Sequence, residues 1–105
     1  METNEAKATK IAALNDAFRK GYTFMITRGI QALPDMQGVI ELVRSFKNFT
    51  EDNDPYGEHD FGSFVCLGEM IYWKIDYYDQ ALKGWCDPLD THCTRVLTIM
   101  LAEEY

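Results

Sequence analysis

The chain of 105 residues has few cysteines and no long hydrophobic run. An odd set of three cysteines (Cys66, Cys86 and Cys93), behind polar residues 2–10 where a secretory signal would stand, favours reduced thiols and a cytoplasmic protein. No window approaches the roughly 20 apolar residues of a membrane span. We therefore expect no membrane partner. A hydrophobic content of 47% predicts a single packed domain over residues 1–105.

Basic side chains are scarce in the second half of the chain. Residues 51–105 carry three basic and twelve acidic side chains, a net charge of −9, whereas residues 1–50 carry seven basic and five acidic, a net charge of +2. A surface built from the second half repels nucleic acid and attracts basic protein surfaces. The sequence therefore predicts a basic protein partner and no direct nucleic-acid binding, although acidic surfaces also serve solubility alone.

Motifs for catalysis and cofactor binding are missing. The chain has no phosphate-binding loop, no dinucleotide fingerprint and no nucleophile elbow. Cys86 and Cys93 are spaced too widely for paired zinc ligands, and the adjacent residues His92 and Cys93 rarely both bind one ion. We expect no cofactor and no metal, and a binding role is favoured over an enzymatic one.

Hydrophobic periodicity predicts two helices. Residues 4–20 form the first, with an apolar face of Ala8, Ile11, Leu14 and Phe18. Residues 35–48 form the second, with an apolar face of Met36, Val39, Ile40, Val43 and Phe46.

Aromatic and β-branched runs predict the strands. Residues 22–27 form a first strand, which Arg28-Gly29 ends with a turn. Residues 63–67 and 70–78 form a hairpin about Gly68-Glu69, with Ile71, Trp73, Ile75 and Tyr77 on its core face. Residues 94–102 fit a strand or a helix, and we favour a strand antiparallel to 70–78. The fold class is therefore α+β, with two helices packed on one face of an antiparallel sheet of about four strands.

The segment 50–62 is the most distinctive part of the chain. It holds five carboxylates, a histidine, and Pro and Gly residues that break regular structure, and it lies between a predicted helix and a predicted hairpin. A loop of this composition is typical of a binding site, or of a turn fixed by its own side chains. The candidate binding residues are Glu51, Asp52, Asp54, Tyr56, Glu58, His59 and Asp60, with Trp85 as an additional contact residue.

The same loop partly resembles a calcium-binding loop. Asp52 and Asp54 have the spacing of its first and third ligands, and Gly57 stands at the position of its sharp turn. Tyr56 and Ser63 occupy positions that need oxygen ligands, so the match fails at two places. The pattern therefore disfavours a calcium site, and whether the loop binds a cation stays open.

An enzymatic alternative depends on residues from several elements. His59 has carboxylate neighbours that could orient its ring as a general base requires. Lys74 and Arg95 would share a face of the predicted sheet. The alternative function is therefore a small hydrolase or transferase that uses His59 and Asp60 with Lys74 and Arg95.

Most of the chain resembles a family of short bacterial proteins of unknown function. The resemblance rests on residues 49–62 (FTEDNDPYGEHDFG), 73–79 (WKIDYYD) and 94–105 (TRVLTIMLAEEY), supported by residues 11–18 (IAALNDAF) and 27–29 (TRG). It implies a proteobacterial, cytosolic protein that is often encoded on plasmids or other mobile DNA. It brings no known activity and no catalytic residues. A mobile-element setting favours a small inhibitor of host defence, of the anti-CRISPR or anti-restriction type.

The sequence thus favours an acidic, non-enzymatic protein-binding module that covers a basic surface on its partner. Homodimerisation through an edge strand or through the aromatic face is a further option that the sequence leaves open.

Overall fold

The structure, a computed structural model, describes residues 3–105. The described chain contains three α-helices and one four-stranded mixed sheet, which confirms the α+β class. Its elements are α1 (Asn4–Arg19), β1 (Met25–Ile26), α2 (Arg28–Gln31), α3 (Met36–Arg44), β2 (Phe61–Cys66), β3 (Glu69–Tyr78) and β4 (Thr94–Leu101), followed by a 3-10 turn over Ala102–Glu104.

The sheet is mixed rather than antiparallel. Its strand order is β1-β4-β3-β2, and β1 runs parallel to β4, with Met25 beside Thr98 and Ile26 beside Ile99. The prediction of an antiparallel sheet was wrong at this pair. β1 and β4 are separated in the chain by α2, α3 and the β2–β3 hairpin, so no tight turn forces them to be antiparallel. The predicted strand 22–27 is also shorter, and the expected turn at Arg28-Gly29 is the start of α2.

The β2–β3 hairpin forms as predicted, but its turn lies one residue earlier. Cys66 pairs with Glu69, so the two turn residues are Leu67 and Gly68. Their φ angles are 52° and 79°. Both residues therefore adopt the left-handed conformation of a type I′ turn, which matches the twist of the two strands.

The core lies on one face of the sheet. Ile71, Trp73 and Ile75 of β3 are buried as the alternation predicted, as is Tyr77. The neighbouring strand contributes Leu97, Ile99 and Leu101 at the positions opposite them. The helices complete the cluster with Ile11, Ile30, Val39, Ile40 and Val43.

Helix α1 buries a face rotated from the predicted one, although Ile11 is buried and Phe18 packs against the core as predicted. Leu14, expected in the core, is 46% exposed, whereas Asn15 and Arg19 are buried. Both polar side chains have internal partners that offset much of the cost of burying them, although Arg19 Nε is buried without a partner. The Arg19 guanidinium contacts Asp16 at 3.0 Å and donates to the Phe46 carbonyl at 2.8 Å. The central guanidinium carbon of Arg19, Cζ, also lies 5.0 Å from the centre of the Trp73 ring.

The end of the chain is attached to α2 through one carboxylate. The two Glu104 oxygens accept hydrogen bonds from the Thr27 hydroxyl at 2.6 Å, the Leu101 amide at 2.9 Å and the Gly29 amide at 3.1 Å. Residues 94–101 form a strand, as favoured, and the 3-10 turn after it brings Glu104 to these donors.

Candidate functional site: an acidic cleft beside the loop

The segment from residue 50 to residue 60 is a shaped loop fixed by its own polar groups. The Asn53 side chain accepts from the Thr50 amide at 2.9 Å and donates to the Asn48 carbonyl at 2.9 Å. The Asp54 amide donates to the Thr50 carbonyl, and the Gly57 amide to the Asp54 carbonyl. Gly57 adopts a φ of 69°, which glycine allows without strain. The loop therefore presents its exposed side chains in a defined arrangement.

Two predicted binding residues, Asp54 and His59, have internal partners. Asp54 is buried, and its carboxylate accepts from the His59 amide at 3.2 Å. The His59 ring lies between carboxylates, with Nδ1 3.0 Å from Asp16 and Nε2 3.6 Å from Asp54. The ring also stacks on Phe49, with 3.8 Å between ring centres. These contacts attach the loop to α1 and to the core.

A buried polar network joins the loop to α1 and the sheet. The Asn15 amide group donates to the Glu58 carbonyl at 2.9 Å and to the Tyr77 hydroxyl at 2.8 Å. Its side-chain oxygen accepts from Arg95 Nε at 2.7 Å, and Arg95 Nη2 donates to the Pro88 carbonyl at 2.8 Å. One side chain thus holds the loop, β3 and β4 in a fixed relation, and through Arg95 the connection between the strands.

A cleft of about 540 Å³ lies above this network. It is formed by the start of α1, the acidic loop and the connection between β3 and β4. Its lining residues are Asn4, Lys7, Ala8, Ile11, Tyr56, Glu58, Asp60, Tyr77, Trp85, Asp87, Pro88 and Leu89. A second hollow of about 410 Å³ shares Asp60, Tyr77 and Trp85 with it, so the concave surface continues toward Asp76 and Lys83.

The cleft carries more acidic than basic side chains, with Glu58, Asp60 and Asp87 against Lys7. Burial raises the pKa of Glu58, and the neighbouring charges of Asp60, Asp54 and Asp87 raise it further. Burial also raises the pKa of Asp60, with a further contribution from Asp54 and Asp76. Burial raises the pKa of the Tyr77 hydroxyl, which stays neutral. Because the carboxylates of the cleft repel one another, a cation that enters between them would be stabilised.

Two exposed aromatic rings flank the carboxylates. Tyr56 is 81% exposed and Trp85 is 72% exposed, and both line the cleft. Trp85 is held by a β-bridge to Tyr78, and the next residue, Cys86, donates its amide to the Tyr77 carbonyl at 3.3 Å. The rings therefore stand on fixed backbone while their faces remain accessible.

Of the eight predicted site residues, four line the cleft, two lie elsewhere on the loop, and two, Asp54 and His59, are bonded internally. Tyr56, Glu58, Asp60 and Trp85 meet at the cleft. Glu51 lies in an adjoining hollow with Tyr56 and Asn4, and Asp52 is exposed on the loop. Sequence reasoning missed Asn15, Tyr77 and Asp87. A polar residue at a buried position of α1 was the available signal for Asn15, whereas Asp87 is brought in by the irregular connection.

The residues of the enzymatic alternative do not form one cluster. Lys74 pairs with Asp76 at 2.9 Å on the sheet face opposite the core. Arg95 stands beside Tyr77 on the core face and is bonded to Asn15, while His59 is bonded to Asp16. Within residues 3–105, no group of three His, Cys, Asp or Glu side chains is arranged to hold a metal ion. All three cysteines are free thiols.

Fold and site together define a small α+β domain with an acidic, aromatic-flanked cleft. The chain belongs to a family described as a protein of unknown function (DUF3768), whose profile matches residues 26–104. Comparison with curated proteins and with solved structures found no match. Among the described residues, no helix is long and apolar enough to span a membrane.

Proposed function

We propose that this protein is an acidic, non-enzymatic binding module and that its cleft receives a basic segment of a protein partner. The observation that carries the proposal is the placement of the exposed rings of Tyr56 and Trp85 on a cleft that also contains Glu58, Asp60 and Asp87.

Electrostatics supports a cationic occupant. The Glu58 and Asp60 carboxylates are partly buried near other negative charges, which makes their ionised forms less favourable than in water. An Arg or Lys side chain placed between them would replace this repulsion with charge-assisted hydrogen bonds. Lys7 is the only basic residue among the described residues lining the cleft, so it opposes such a ligand.

The aromatic rings support a protein as the source of the cation. Trp and Tyr are enriched among the residues that dominate binding energy at protein interfaces. A ring face beside a carboxylate also attracts a guanidinium or ammonium group through its quadrupole. Trp85 and Tyr56 are exposed although they could bury large apolar surfaces, and an occupant of the cleft would cover them.

A finer form of the proposal is an inhibitor of host defence, of the anti-CRISPR or anti-restriction type, encoded on mobile DNA. The negative side chains would occupy the phosphate positions of a basic nucleic-acid-binding surface. Asp54 is occupied internally, so the carboxylates available for this role are Glu51, Asp52, Glu58, Asp60 and Asp87. The resemblance to plasmid-borne proteins and the charge of −9 over residues 51–105 support it.

The test measures the affinity for an arginine-rich peptide by calorimetry and by tryptophan fluorescence, at several salt concentrations. The double variant Glu58→Gln/Asp60→Asn should bind at least about tenfold more weakly, which corresponds to about 1.4 kcal/mol. The matched control is Glu69→Gln/Glu103→Gln, which removes the same charge at exposed positions outside the cleft. Lys7→Gln should bind more tightly. Affinity that does not change with salt, or equal weakening by the control, would sink the proposal.

The inhibitor form has its own test. The protein and the Glu58→Gln/Asp60→Asn variant would serve as paired baits in a bacterial lysate. A nucleic-acid-binding protein retained by the first bait and lost by the second, and displaced by added DNA or RNA, is the expected result. Retention by both baits would contradict this form.

A further inference from the structure

Strand β2 is an edge of the sheet with free hydrogen-bonding groups. The Ile75 amide donates to the Asp60 carbonyl at 2.8 Å, and Gly62 pairs with Trp73. Hydrogen-bonded positions alternate along an antiparallel pair, so the even-numbered residues of β2 bond to β3. The N–H and C=O groups of Phe61, Ser63 and Val65 therefore point away from the sheet. Within the described part of the chain, none of these groups has a hydrogen-bond partner.

This edge lacks the usual devices that prevent strands from pairing. The segment Phe61–Cys66 contains no charged residue and no proline, and each of its residues is in register with one residue of β3, without a bulge. Val65 is 64% exposed on it. Natural proteins protect such edges with lysine, proline or a bulge, or they cover them. A regular, neutral and partly apolar edge is typical of a strand that is paired in the functional state.

We propose that β2 pairs with β2 of a second copy of this chain, antiparallel and centred on Ser63. This register places Ser63 opposite its own equivalent and Phe61 opposite Val65, twice by symmetry. It forms about six backbone hydrogen bonds between the copies. Phe61 and Val65 lie on the same sheet face as Tyr72, so each exposed Val65 would gain an aromatic neighbour from the second copy. The two sheets would become one continuous sheet.

The pairing register, rather than net charge, favours a second copy as the occupant. Each chain carries a net charge of −7, so pairing requires an edge where like charges do not meet. In the register centred on Ser63, Asp60 faces Cys66 of the second copy rather than another carboxylate. The paired segment carries no charged side chain. Its two copies also complement each other in side-chain size, because the aromatic Phe61 of one copy faces the β-branched Val65 of the other. The paired segment Phe61–Cys66 does not itself line the cleft, although Asp60 adjoins both surfaces, and the pairing does not require any particular ligand in the cleft.

The experiment measures mass by sedimentation over a range of concentrations, together with amide hydrogen exchange. A dimer is expected, with the outward amides of Phe61, Ser63 and Val65 protected at high concentration and exchanging freely on dilution. Ser63→Pro removes one outward donor without removing a bond to β3, and Val65→Lys places a charge at the edge. Both variants should be monomeric at concentrations where the wild type is a dimer. The control Leu42→Lys makes the same kind of change on the exposed face of α3 and should leave the dimer intact.

Circular dichroism shows whether each variant folds. If Ser63→Pro does not fold, Val65→Lys alone tests the proposal, because it changes only a side chain. A wild type that is monomeric at all concentrations, with the three outward amides exchanging freely, would overturn the proposal and leave the edge free for the strand of another protein. A dimer that persists in both edge variants would overturn it as well.

Discussion

Asn15 and Tyr77 lie 62 residues apart in the chain, yet the Asn15 amide donates to the Tyr77 hydroxyl at 2.8 Å inside the protein. The same amide group reaches the Glu58 carbonyl, and its oxygen accepts from Arg95. One buried side chain therefore sets the distance between the acidic loop and the sheet, and the floor of the cleft depends on it.

Replacing Asn15 with alanine should destabilise the fold. The variant leaves the Glu58 carbonyl and the Arg95 Nε without their partner in a buried site, and such losses cost about 1–3 kcal/mol each. We expect a decrease of about 2–4 kcal/mol in the free energy of unfolding, measured by urea denaturation. The control is Leu14→Ala on the adjacent exposed position of α1, which should change stability by less than about 1 kcal/mol. A larger effect at Leu14 would contradict the observed orientation of α1.

Glu104→Gln should also lower stability, and by a pH-dependent amount. Hydrogen bonds from Thr27, Leu101 and Gly29 hold the pKa of Glu104 below its ordinary value. The stabilisation is therefore fully present above the unfolded-state pKa and is lost as pH falls through the lower folded-state pKa. Since the carboxylate is solvent-accessible, we expect a decrease of about 1 kcal/mol at neutral pH. Thermal denaturation checks it, with Glu103→Gln as the control that should leave the melting temperature unchanged.

Glu58→Gln should raise the stability of the fold at neutral pH, whereas Glu104→Gln lowers it. Burial beside other carboxylates raises the pKa of Glu58, so the folded state binds its proton more tightly than the unfolded state does. Stability therefore decreases as pH rises from the ordinary pKa of about 4 through the raised one. The variant should melt a few degrees higher than the wild type at neutral pH and lose this advantage at about pH 4.

Asp90→Asn provides the comparison for Glu58→Gln. Hydrogen bonds from the backbone and side chain of His92 lower the pKa of Asp90, so its removal should reduce stability at neutral pH. Thermal melts of the two variants at matched pH should shift in opposite directions. A shift of the same sign in both would mean that general charge repulsion, rather than the local contacts, determines the response.

Gly62→Ala should destabilise the sheet because of close packing. A Cβ atom on Gly62 would overlap the indole ring of the buried Trp73. Overpacking of this kind costs about 1–3 kcal/mol. Gly84→Ala is the control, because its added Cβ would meet only ordinary contact at 3.5 Å from Asp79. Denaturant midpoints should fall for the first variant and stay nearly constant for the second.

Local patterns predicted most of the elements. The alternation through Ile71, Trp73 and Ile75 identified the buried face of β3, and the 3.6-residue period through Val39 and Val43 identified α3. Both signals depend on side chains that are buried by the element itself. The partner of β1 and the orientation of α1 could not be obtained this way. The orientation of α1 depends on Arg19 and Asn15 finding an acceptor and a donor far along the chain, and a helix pattern based on apolar residues assigns such positions to solvent. The pairing of β1 with β4 joins segments about 70 residues apart, which no local pattern can specify.

The lining of the candidate cleft was predicted in part. The loop 50–62 was recognised from its composition, and Tyr56, Glu58, Asp60 and Trp85 do meet at one cleft. Composition could not distinguish Asp54, which is buried and bonded to the loop itself, from Asp52, which is exposed. Nor could it indicate Asp87, because an irregular connection has no period from which its path can be read.

The parallel pairing of β1 with β4 has a consequence for synthesis on the ribosome. Thr27 donates its amide to Ile99, and the polar groups of α1 find partners as far along as Arg95. The N-terminal third of a nascent chain therefore cannot form its final contacts until the segment that contains Arg95 and Ile99 has been synthesised. The final contacts of α1 and β1 therefore form only after residues 95–99 have left the ribosome, and such non-local pairing slows folding.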